Sequence, residues 1–270
     1  MRENVLFRYV LPMLIVLPVS FLMLYPHLVR CIRIDSSADF RLLTGTDRVY
    51  VNLSATLYQQ GQLRRHAATA RDRIRRFWGD RRGRAILIYC PKQTDYEQYC
   101  ASGEGAGCSL GTPWGTSYLV LGPDGNNADV IAHELCHDEL FARLGWWRIK
   151  RQIPQWFNEG LALMVDYRFS SPSVWEQPDK QPNPFSDEDL SSFPQRPMLK
   201  LTDLETTQDF FGGGYTNTML AYQTSAEEVT RWLTVVGRAG VPALSNAVAN
   251  GVAFGDAYRR LERAKRATPK

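Results

Sequence analysis

The stretch that most limits how this chain can fold is His133-Glu134-Leu135-Cys136-His137. Two imidazoles four positions apart meet at one point only on a helix, where residues i and i+4 lie one turn apart and about 40° round the axis. Val130, Ile131, Leu135, Leu140 and Phe141 recur around the motif at helical spacing and give that helix one buried face. Asn126 or Asn127 stands where a cap belongs, Asp129 falls in the first turn where an acid suits the helix dipole, and Gly145 follows Leu144 as a stop. Four His and twelve Glu are spread over 270 residues, so H-E-x-x-H is expected by composition alone roughly 0.003 times per chain.

The spacing suits a single tetrahedral Zn²⁺ held by His133 and His137. Glu134, one step round from His133, stands beside the ion, where a carboxylate can take a proton from a metal-activated water. Such a site needs a third protein ligand and keeps its fourth position open. The remaining histidines, His27 and His66, lie far up the chain and read as structural, and none follows His137. A carboxylate must serve. Gln155-Trp156-Phe157-Asn158-Glu159-Gly160-Leu161-Ala162 places Glu159 22 positions after His137, in a helix opened by Pro154 and running to about Arg168. A turn over 145–153 lets the two helices lie side by side, and Gly160 permits close approach. Cys136 reads as a small buried apolar residue, and Trp146, Trp147 and Trp156 as packing between the two helices.

Around this centre the chain divides into 1–34, 35–126, 127–169, 170–200 and 201–270. Tyr9 to Val29 contains no Asp, Glu, Lys or Arg. As one helix this run would reach about 31 Å, close to the thickness of a bilayer core. It has no small-x-small cleavage site, so residues 1–34 read as an uncleaved, single-pass membrane anchor, although Pro12, Pro18 and Pro26 interrupt it. Arg2 and Arg8 nearly balance Arg30 and Arg33 across the run, and the free amino terminus tips the body to the extracytoplasmic, periplasmic side. Asp129, Asp138 and Glu139 flank the metal motif, which therefore belongs to the folded body rather than to the bilayer.

Within that body, 35–126 reads as an α/β part. Val49–Val51, Ala85–Cys90 and Thr116–Leu121 are its strands. Leu63, Ala67, Ala70, Ile74 and Phe77 mark an amphipathic helix over 63–79 with arginines on its outer face. Residues 101–115, rich in glycine and other small residues, read as a loop. Residues 127–169 carry the two metal-site helices, and 170–200 form a proline-rich loop. Residues 201–270 supply helices near 216–236, 242–249 and 254–265. Cys90, Cys100 and Cys108 lie close enough in sequence for one disulfide among them, with three unpaired thiols as the equal alternative. The net charge of +4 comes from local arginine excess in 1–34 and 63–84, which argues against a nucleic-acid partner.

H-E-x-x-H followed by Trp156-Phe157-Asn158-Glu159-Gly160-Leu161-Ala162 resembles the gluzincin metallopeptidases, and the chain's size and strand–helix order look most like the peptidase-MA-like family. The match spans about Ala128 to Ala162, and Ala221-Tyr222-Gln223-Thr224-Ser225 resembles a late segment of the same family. The resemblance implies an α+β zincin-like domain, a small mixed sheet with helices and a C-terminal helical part. It implies one zinc on His133, His137 and Glu159, with Glu134 as general base. Hydrolysis also needs a donor to the developing oxyanion. With no late His a tyrosine is expected, Tyr222 by the family segment and Tyr215, after Gly212-Gly213-Gly214, as the second choice. The strand Thr116–Leu121 resembles the edge on which a peptide substrate lies by strand addition. Met164 stands where aminopeptidase relatives carry an aromatic residue, so the resemblance does not extend to aminopeptidase specificity. The expected activity is membrane-anchored, zinc-dependent hydrolysis of peptide or protein substrates. The alternative is a catalytically silent, membrane-anchored binding or assembly protein that keeps a structural zinc.

Overall fold

The computed structural model describes residues 24–100, 105–171, 173–176 and 199–267, with three further positions at 13, 16 and 20. The described elements run α1 (Pro26–Ile32), β1 (Phe40–Leu42), β2 (Val49–Asn52), α2 (Leu57–Trp78), β3 (Ile86–Tyr89), α3 (Gln93–Tyr99), β4 (Gly107–Gly111) and β5 (Ser117–Leu121). They continue with α4 (Ala128–Gln152), α5 (Gln155–Leu163), α6 (Ser173–Glu176), α7 (Thr207–Phe211), α8 (Gly214–Val236), α9 (Gly240–Ala249) and α10 (Phe254–Arg266). The result is a mixed α/β fold on one five-stranded sheet of order β1-β2-β3-β5-β4. The inner strands β2, β3 and β5 are parallel, and the outer strands β1 and β4 run antiparallel to their neighbours.

The inner strands read as continuous apolar runs because both sheet faces are covered. Successive side chains point to opposite faces. Leu87, Tyr89, Leu119 and Leu121 face the large core that includes residues of α2 and α4. Ile88, Cys90, Tyr118 and Val120 face a second core with α1 and α3. α2 begins at a reciprocal capping box between Thr56 and Gln59 and ends at Gly79, whose φ of 85° suits glycine. Leu63, Ala67, Ala70, Ile74 and Phe77 are all buried, as their spacing predicts. Arg73 on the same helix is buried as well, not on the outer face.

The membrane anchor is corrected. Among the described residues no helix is long and apolar enough to cross a membrane, so the single-pass assignment and the periplasmic placement built on it are withdrawn. Residues 9–12, 14, 15, 17–19 and 21–23 of the supposed span lie outside the described residues. Its carboxyl end is visible and belongs to the body. Pro26 opens a separate helix of seven residues after non-helical Tyr25. Leu28 and Cys31 of that helix are buried in the second core. His27 Nδ1 lies 3.0 Å from the Gln98 carbonyl, which also accepts from Arg30 Nη1 at 2.9 Å. An apolar run satisfies a protein core as readily as a lipid one.

Two further expectations change. Part of the supposed loop at 101–115 is a strand, β4, and it forms the sheet edge. β5, expected at the edge, lies between β3 and β4. β4 escapes notice in the sequence because Gly107, Ser109 and Gly111 on one face are small. Cys100 and Cys108 form the disulfide, tying the end of α3 to β4, while Cys90 is free and buried. The proline-rich stretch lies largely outside the described residues. Within it α6 buries Trp175, whose Nε1 donates to the Met164 carbonyl at 3.0 Å.

Behind the metal-site helices, Trp156 and Phe157 of α5, Trp232 of α8, and Phe254 and Tyr258 of α10 form one aromatic cluster, with Trp232 stacked on Tyr258 at 4.8 Å. Trp156 therefore packs against the C-terminal helices. Trp147, more than half exposed, makes an edge contact with Trp146. Gly160 serves the approach of α5 to α8: a Cβ there would stand 2.5 Å from the Ser225 carbonyl oxygen and 2.7 Å from Val229 Cγ2. Gly160→Ala must push these helices apart and is expected to cost about 1–3 kcal/mol, measured as a lower midpoint in urea unfolding.

Candidate metal centre

α4 is capped by Asn127, whose side chain accepts from the Asp129 amide, and breaks at Gly145, where φ 75° and ψ 161° interrupt the helix. Residues 146–152 resume helically rather than forming a turn throughout. The first segment carries His133 and His137 one turn apart, ring centroids 5.0 Å from each other. From α5, Glu159 Oε2 reaches within 3.4 Å of His133 Nε2 and 3.7 Å of His137 Nε2. One ligand atom from each of the three lies within 4.8 Å of the others, a group that could hold a metal ion.

The far side of each ring is also engaged. His137 Nδ1 lies 3.0 Å from Asn158 Oδ1, to which it can donate, which directs the Nε2 lone pair toward Glu159. His133 Nδ1 faces Asp166 Oδ2 at 3.5 Å. Glu159 uses its second oxygen, Oε1, to accept from Gln155 Nε2 at 2.8 Å. Asp166 is fully buried and accepts from Arg168 through Nε at 2.9 Å and Nη2 at 2.6 Å.

Glu159 thus faces both imidazoles, and Asp166 faces that of His133 from its other side. Burial opposes charging His133, but the carboxylates of Asp166 and Glu159 beside it override this and raise its pKa to about 10. Burial likewise opposes ionising Asp166, yet Arg168 and His133 hold it well below the usual carboxylate range. Glu159 is depressed against its own burial, chiefly by the charge of His137. Two nitrogens and one carboxylate oxygen, in surroundings that favour positive charge, fit a divalent cation that takes N and O ligands.

Asn158, Gln155, Asp166 and Arg168 were not foreseen. Asn158 adjoins Glu159 and was legible in principle as its neighbour in the motif. Asp166 was not. On a helix running to Arg168 it would lie about 10.5 Å along the axis from Glu159. Instead the helix ends at Leu163 and the chain turns, with Val165 N bonded to the Ala162 carbonyl and Asp166 N to that of Leu163, and Asp166 lies beside His133. Arg73 secures the turn: Nη1 donates to the Val165 carbonyl at 2.7 Å and to Asp129 Oδ1 at 2.6 Å, and its guanidinium lies 3.7 Å over the Tyr167 ring.

Glu134 is buried, and Ser109 Oγ of β4 donates to its Oε2 at 2.5 Å. Tyr222 on α8 is partly buried against Phe210 and Phe211. Burial, followed by the negative charge of Glu159 and Glu134, pushes its phenol up, so it stays protonated and able to donate. Tyr215 is 82% exposed in the first turn of the same helix. Cys136 is buried, and desolvation pushes its thiol up, as suits a packing residue. Asp138 and Glu139 point away from the site. Glu139 accepts from the amides of Arg82 and Gly83, and Asp138 from that of Ala85, so the segment leading into β3 is fastened to α4.

One divalent ion per chain is expected on metal analysis, with loss of that ion in His137→Ala. Asp166→Asn should keep the fold by circular dichroism and weaken metal affinity about 10–100-fold in a chelator competition. Set against known proteins, the chain matches no family model and no curated protein, and its own side chains carry the functional argument.

Proposed function

We propose that this chain is a zinc-dependent peptidase. The observation that carries the proposal is the convergence of His133, His137 and Glu159 with a fourth buried group, Glu134, held beside them by Ser109. Two imidazoles and a carboxylate suit zinc, and three protein ligands leave a coordination position for water or substrate, as catalytic sites require. When bound, Zn²⁺ supplies a Lewis acid that polarises a peptide carbonyl and acidifies water.

The chain's own residues do the rest. Glu134 accepts a proton from the attacking water and passes it to the departing amide nitrogen, which leaves as a neutral amine. Tyr222, kept protonated by burial and by two carboxylates, donates to the oxygen that gains charge as water adds. Asn158 holds the His137 ring in orientation, and Asp166 faces the far nitrogen of His133 at 3.5 Å. β4, whose outer edge is unpaired among the described strands, offers backbone groups to an extended peptide beside Glu134.

Zinc-loaded protein is expected to cleave an unstructured substrate such as casein, and a chelator to stop it. Glu134→Gln should retain one zinc per chain and lose about 10²–10⁴-fold in kcat/KM. Wild-type turnover in that variant would overturn the mechanism, and a full complement of zinc without cleavage by the wild type would assign the site a structural role.

A further inference from the structure

We infer that the edge strand β4 carries a seat for the Glu134 carboxylate, with Ser109 as a positioning residue for the general base. The inference rests on the peptidase reading above, but its observations are separate from the metal ligands. Alternate residues of a strand share a face. On β4 the face toward α4 is Gly107, Ser109 and Gly111, while Cys108 and Leu110 pack against the second core. A Cβ on Gly111 would stand 2.6 Å from the Phe141 ring, and one on Gly107 would stand 3.2 Å from Glu134 Oε1 and from Cγ of the same side chain. The absence of side chains at both ends of this face lets the strand backbone lie close along α4.

Between the two glycines, Ser109 donates to Glu134 Oε2 at 2.5 Å. Glu134 is buried, and a buried polar group left without a hydrogen-bond partner is costly. The hydroxyl supplies that partner, and it fixes the side chain's torsions. It also ties the base to the strand on which an extended substrate would pair, so the register of the substrate and the position of the proton acceptor are set by the same five residues. The opposite face of β4 is fixed independently by the Cys100–Cys108 disulfide.

Two measurements test this on the full chain. In metal-free protein, urea unfolding of Ser109→Ala, Glu134→Ala and the double variant forms a cycle that needs no activity. Ser109→Ala is expected to shift the unfolding constant about tenfold in the wild-type background and by less than about twofold once Glu134 is gone. In zinc-loaded protein, Ser109→Ala should bind one zinc with unchanged affinity and leave KM unchanged. Its kcat should fall about tenfold or more, and Ser109→Thr, which keeps the hydroxyl, should restore it. A purely structural role would not produce this split. An additive cycle, or wild-type kcat in Ser109→Ala, overturns the inference and leaves the peptidase reading standing. A coupled cycle in a protein whose wild type hydrolyses no peptide overturns the peptidase reading, and the catalytic role of Ser109 with it.

Discussion

Buried negative charge beside two imidazoles is the constraint on which this structure depends. An ionised carboxylate in an apolar interior is costly unless it is paired or hydrogen-bonded. Glu134, Glu159 and Asp166 are all buried about His133, and Glu159 also meets His137. Each has a partner from another direction: Ser109 for Glu134, Gln155 for Glu159, Arg168 for Asp166. Ser109 and Gln155 orient their acids without adding charge, the Arg168 guanidinium pairs with Asp166, and Glu159 faces the Nε2 atoms of both histidines. His133, His137 and Glu159 form a group that could hold a metal ion.

The scaffold serves this cluster from both sides of α4. One face of the helix carries His133, Glu134 and His137. Asp138 and Glu139, further round, take backbone amides of residues 82, 83 and 85 and so lock the helix to the approach of β3. Arg73 reaches from α2 to the first turn of α4 and to the turn that bears Asp166. His66 on α2 meets the Asn126 carbonyl at 2.9 Å, just before α4 begins. The position of the histidine-bearing helix is thus set by polar contacts at several points along its length as well as by its apolar face. This suits a site whose atoms must stay within a few tenths of an ångström of their places.

Much of the architecture was legible from local patterns. The strands at 49–52, 86–89 and 117–121, the long helix ending at Trp78 and the capped helix bearing the histidines follow from apolar periodicity and from their caps, which act over a few neighbouring residues. The failures share a cause. β4 has too few apolar side chains to show a period, since its small residues are demanded by Phe141 and Glu134 on another element. The uncharged run at 9–29 matches a bilayer in length, yet Pro26 restarts the helix and Leu28 and Cys31 find partners on α3 and the sheet. Hydropathy records that a side chain avoids water, and it does not say what covers the side chain instead.

The order of residues alone determined that two imidazoles would share a helical face with a carboxylate to one side of them, because a turn of helix leaves no other choice. It also placed a second helix bearing an acid a short connection away. Only the folded chain decided which acid orients which ring, which strand runs at the edge, and where Arg73 and Ser109 reach. Those contacts join residues 25 to 92 positions apart, and their distances depend on how helices and strands pack, a property that no local period encodes.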